Sequence, residues 1–100
     1  MAIFAITYTY AADSASQRDQ YRPEHREHLT ELAKRDQLLL SGPINDDGPP
    51  AALLIVRAGD ASEAERLLAE DPFQREGLVA EIGVRAWEPV LGSLSGPFVS

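Results

Sequence analysis

Two residues far apart in the chain, His25 and Asp71, have the types and settings that acid–base chemistry needs. His25 lies in Arg22-Pro23-Glu24-His25. On a helical wheel it lines up with Leu29 and Leu32, the apolar stripe that must face the core. An imidazole there can take or give a proton near neutral pH. Asp71 lies in Glu70-Asp71-Pro72-Phe73, in line with Ala64, Leu67 and Leu68 of a second expected helix. A carboxylate beside an imidazole fixes its tautomer and stabilises the imidazolium. Burying either group alone is costly, so the pair is expected to meet, for catalysis or as a structural hydrogen bond. Asp71 has a further use. Asp-Pro-Phe-Gln reads as a helix N-cap, a proline at the first helical position and a glutamine three residues after the cap. A carboxylate bonded to backbone amides is a poor base but can still orient an imidazole. The spacing leaves both roles open.

Around this pair, Arg22, Ser41 and Gly42 are the candidate substrate-binding residues. Arg22 can hold an anion, or it can be a solvated residue just before a helix. Ser41-Gly42-Pro43 ends a strand; without a Gly-x-Ser-x-Gly elbow it reads as a turn, not a nucleophile. Gly42 can let backbone amides approach a small anion. His28 is expected at the partly exposed edge of the His25 stripe. Two imidazoles at i, i+3 do not complete a metal site, and Glu24 and Glu27 point elsewhere, so no metal and no cofactor are expected. Tyr8, Tyr10 and Trp87 read as packing residues. Trp87 shares a strand face with Glu81 and Arg85, a mixed face that could line a cavity between subunits.

The elements that must position these residues follow from periodicity and punctuation. Ala2 to Tyr10 alternates as a strand. Ala11 to Gln20 is polar and reads as a loop with a short helical turn. Pro23 suits the first position of a helix to about Arg35. Leu38 to Ser41 is a short strand stopped by Gly42-Pro43, and residues 45–50 form a loop. Ala51 to Ala58 is an apolar strand. Ser62-Glu63-Ala64-Glu65 reads as a capping box opening a helix to about Glu70. Pro72 to Gly77 is a further helical turn, and Val79 to Pro89 the last strand. The tail, 92–100, is expected to be loosely ordered. The order β-α-β-β-α-β predicts an α+β, ferredoxin-like domain over 1–100, with both helices on one face of a four-stranded antiparallel sheet. Strand 51–58 is apolar on both sides: Leu53 and Ile55 on one, Leu54 and Val56 on the other. Two short helices cannot cover both, so a homodimer stacked through the second face is expected.

Bulk properties set the outer bounds. The chain has 100 residues, a 44% hydrophobic fraction and a net charge of -7. The nine Lys and Arg are scattered among sixteen Asp and Glu, which argues against a nucleic-acid partner. No apolar run suits a membrane span, and Met1 to Thr7 reads as a strand, not a signal peptide. The absence of cysteine excludes disulfides, thiol nucleophiles and thiolate metal sites, and fits a cytoplasmic setting.

Taken in order, Arg22-Pro23-x-His25, Leu29, Leu32, Ser41-Gly42-Pro43, Asp71-Pro72-Phe73 and Val84-x-x-Trp87 resemble the YCII-related family. One departure is Gln37, where many members carry glycine. The resemblance implies a small ferredoxin-like dimer of the dimeric α/β-barrel superfamily. It also implies that His25 and Asp71 form a catalytic pair in a pocket. Superfamily relatives include muconolactone isomerases and other enzymes of small cyclic or aromatic compounds, often cofactor-free. The expected function is therefore cofactor-free acid–base catalysis, of isomerase or lyase type, on a small organic molecule. The alternative is a non-enzymatic module that binds a small ligand or a partner protein, with a structural His–Asp pair.

Overall fold

The computed structural model describes residues 2–96. Four strands and three helices alternate as β1 (Ala2–Tyr10), α1 (Ala15–Lys34), β2 (Leu38–Ile44), β3 (Ala51–Ala58), α2 (Ala61–Ala69), α3 (Pro72–Arg75) and β4 (Val79–Trp87). The sheet is fully antiparallel in the order β2-β3-β1-β4, the ferredoxin-like arrangement that the element order predicted. The tail expectation for 97–100 lies outside the described residues.

Alternation along the strands decides what faces the helices. Phe4, Ile6 and Tyr8 of β1 and Ala52, Leu54, Val56 and Ala58 of β3 form the inner face, packed with Leu29 and Leu32 of α1 and Ala64 and Leu68 of α2. The register puts the other set outward: Ile3, Ala5 and Thr7 against Trp87, Arg85 and Gly83, and Ala51, Leu53 and Ile55 against Ile44, Gly42 and Leu40. That outer face carries Leu40, Ile44, Leu53 and Trp87, all exposed, while Ile55 is shielded by its neighbours.

Several element boundaries differ from the sequence expectation; β4, for one, ends at Trp87 and not at Pro89. α1 begins at Ala15, so Pro23 lies inside the helix and not at its start. The beginning is set by the chain reversal at Asp13, φ 57°, and by Ser14, which is buried and donates from Oγ to the Ala11 carbonyl at 2.7 Å. Pro23 removes the N–H that would bond the Asp19 carbonyl, and both residues lie at exposed positions where water can replace it. β2 runs through Gly42-Pro43 to Ile44; it is an edge strand, where a missing N–H is tolerated. α2 is capped by Asp60, whose side chain accepts from the Glu63 N–H at 2.8 Å, so the helix starts ahead of the expected Ser62 box.

Candidate functional site

α1 lies over the inner face of the sheet, and α3 packs beside it. Between α1, α3 and the ends of β1, β2 and β3 is a pocket of about 320 Å³. Its walls include His25, Arg22, Ser41 and Gly42, four of the five candidate site residues. The fifth, Asp71, is fully buried behind His25.

Asp71 has both of the roles that its sequence setting left open. It caps α3, with Oδ1 accepting from the Phe73 N–H at 3.0 Å. The same oxygen is 2.7 Å from Nδ1 of His25, and Oδ2 accepts from the Tyr8 hydroxyl at 2.8 Å. A carboxylate only accepts, so it satisfies all three donors and fixes His25 as the Nδ1–H tautomer. Nε2 of His25 has no partner among the described residues and belongs to a ring lining the pocket. The imidazole is also stacked on Phe73, with ring centres 3.9 Å apart and planes 5° from parallel. His25 is thus held by a hydrogen bond at one edge and by an aromatic plate on one face.

Tyr8 completes the support. Its hydroxyl donates to Asp71 and accepts from Gln74 Nε2 at 3.3 Å, and Gln74 also donates to the Leu68 carbonyl at 3.0 Å. Burial, and then the charge of Asp71, push the Tyr8 phenol far above its ordinary value, so it stays protonated and donating. Burial also raises Tyr10, partly offset by Arg18 nearby. Tyr10 stands edge-on to Phe73 at 5.7 Å, and the Arg18 guanidinium lies 4.3 Å over its ring.

The remaining candidates are placed less tightly. Arg22 reaches the pocket but pairs with Asp19 on the same helix. Ser41 is exposed, and a Cβ at Gly42 would meet open space, so no close approach in this chain demands that glycine. His28 is half-buried and donates from Nε2 to the Leu67 carbonyl at 2.8 Å, apart from His25. Sequence reasoning missed Arg18 and Arg26, which also line the pocket, and the support given by Tyr8, Gln74 and Phe73. The spacing Arg18, Arg22, Arg26 is one helical ridge. It becomes visible once α1 is known to start before Pro23. As a group, the pocket has an imidazole with a free nitrogen, a buried carboxylate behind it, three arginines and an aromatic wall.

The family model of the YCII-related domain matches residues 2–88. No curated protein matches the sequence. Among solved structures, the chain is similar to the 5-chloro-2-hydroxyhydroquinone dehydrochlorinase TftG of Burkholderia phenoliruptrix, solved with 2,5-dihydroxybenzoquinone: TM-score 0.75, 24% identity, covering 85% of this chain and 92% of that one. An antibiotic biosynthesis monooxygenase is similar at TM-score 0.56 and 14% identity, over 91% of this chain and 100% of that one. A NIPSNAP family protein of Agrobacterium tumefaciens is similar at TM-score 0.55 and 13% identity, over 94% and 95%. At these identities the likeness is one of fold.

Proposed function

The chain belongs to the YCII-related domain family, and from that premise we propose that it is a cofactor-free acid–base enzyme, an isomerase or lyase, acting on a small organic compound. The observation that carries the reading is the free Nε2 of His25, on a ring that lines a pocket while Asp71 occupies its other nitrogen. Nε2 takes a proton from a C–H or O–H of the substrate, and the resulting imidazolium is stabilised by the buried carboxylate. Returning the proton to another atom of the substrate gives isomerisation. Expelling an anion from the neighbouring carbon gives elimination. The fold-related dehydrochlorinase, whose substrate is a small chlorinated hydroxyaromatic, is a precedent for the second course.

A sealed His–Asp bond would favour the structural alternative. Here only Asp71 is sealed; the His25 side chain retains 13% exposure, and polar groups converge on the space before it. The decisive experiment is a screen of small lactones and halogenated hydroxyaromatics, 5-chloro-2-hydroxyhydroquinone included, against wild type and His25→Ala. Turnover by wild type, lost in His25→Ala, is expected. A turnover that survives the substitution, or none across both classes, overturns the proposal.

The same reading includes a homodimer through the outer sheet face. Leu40, Ile44, Leu53 and Trp87 are exposed together there. Glu81 and Arg85 flank that surface on β4 with opposite charges, which a twofold axis can set against each other. A second copy of this chain is the occupant that fits such a face.

A further inference from the structure

Positive charge is distributed unevenly in this acidic chain. The pocket has three of the nine Lys and Arg residues, Arg18, Arg22 and Arg26, and not one Asp or Glu on its walls. The three are not equivalent. Arg22 is paired with Asp19. Arg26 is exposed, and among the described residues no hydrogen bond or ion pair holds it. Arg18 is fixed on two sides. Its Nε donates at 3.1 Å to Oγ of the buried Ser14, itself bonded to the Ala11 carbonyl. Its guanidinium lies 4.3 Å over the Tyr10 ring. Nε is therefore occupied, the two terminal nitrogens are not, and no carboxylate among the described residues pairs with them. A guanidinium held this way has little rotamer freedom left to lose on binding, and its terminal fork matches a planar pair of oxygens.

Arg18 is also connected to the proposed base. Its partner Tyr10 packs edge-on to Phe73, and Phe73 stacks on His25. The anion-binding fork and the proton-accepting nitrogen are thus held on one aromatic wall. At about 320 Å³ the pocket is at the small end for ligand sites, which suits a single ring.

We propose that Arg18 is the anchor for an anionic substrate, gripping the paired oxygens of a carboxylate or of a catecholate-type dioxygen on a single-ring compound. This rests on reading the pocket as the site of chemistry, and names the class of substrate that it takes.

The test is a titration followed by amide NMR shifts, with benzoate and 2,5-dihydroxybenzoquinone as probes and neutral benzamide as control. Wild type should bind both anions with shifts at the pocket residues. Arg18→Gln should weaken them about tenfold to a hundredfold, as for loss of a charged hydrogen bond, with Arg18→Lys in between. Arg22→Gln, and Arg75→Gln away from the pocket, should each cost no more than about threefold, the scale of a screened surface charge. Benzamide should not respond to Arg18. Binding of one anion alone identifies which dioxygen the fork takes. Equal weakening by the Arg18, Arg22 and Arg26 variants would mean a diffuse field and overturn the anchor, as would absence of anion shifts at the pocket in wild type. A protein that turns nothing over but keeps Arg18-dependent binding refutes the catalytic reading alone.

Discussion

At the scale of single residues, the Tyr8 hydroxyl is the group whose loss is most informative. It donates to Oδ2 of Asp71 in a fully buried setting. Tyr8→Phe keeps the ring but leaves that oxygen short of a donor, an expected loss of about 1–2 kcal/mol at neutral pH, measurable by denaturant titration. Tyr8 also sets the alkaline limit. Its phenol is raised above 10.0 in the fold, so above that pH the unfolded chain loses a proton that the folded chain keeps. Folded stability is then complete below pH 10 and declines above it, by up to about 1.4 kcal/mol per pH unit for each such group. Stability measured from pH 8 to 11 should fall for wild type and fall less steeply for Tyr8→Phe, with Tyr10 keeping a residual slope. Equal slopes would show that Tyr8 is not the group being titrated. His25 and Asp71 were legible from the sequence because helical phase and a proline cap are local signals. Tyr8 was not, because its partner is a residue brought to it by the fold across 63 positions.

At the scale of elements, the helix that bears the proposed base contains its own defect. Pro23 lies inside α1 at an exposed position, where it removes a backbone hydrogen bond. Pro23→Ala restores the N–H and replaces the poorest helix former with the best. The expected result is a gain of about 1–3 kcal/mol, seen as a higher melting temperature. A loss would mean that the proline is needed to seat His25 over Phe73. The same proline explains why the arginine ridge was hidden. Proline suits a first helical turn, and a polar stretch from Ala11 to Gln20 has no apolar stripe to argue otherwise. The true start depends on Ser14 being buried against the Ala11 carbonyl, a tertiary fact with no periodic signature. β2 was underestimated for a related reason: Gly-Pro punctuation is reliable in central strands but not at an edge.

At the scale of the whole molecule, the topology was readable from element order alone, and the outer sheet face from the two-sided apolar pattern of β3. The dimer proposed on that face makes a direct demand on Leu53, exposed there at 40%. Sedimentation equilibrium at micromolar concentration should give about twice the chain mass for wild type and the chain mass for Leu53→Glu, which buries an unpaired charge in the contact. A monomeric wild type would refute the arrangement. The uneven placement of charge has a consequence for how a ligand arrives. Glu24, Glu27, Glu31 and Glu70 outnumber Arg35 and Arg75 in a groove on the other flank of α1, and the molecule as a whole carries -7. The anionic ligand proposed for this pocket would be pushed away from afar and drawn in only within a few ångströms of the arginines. Dissolved salt, with a screening length of about 10 Å at 0.1 M, acts on the distant repulsion before the close attraction. Modest ionic strength therefore hastens the encounter and high ionic strength shortens the residence, so capture is most efficient in between.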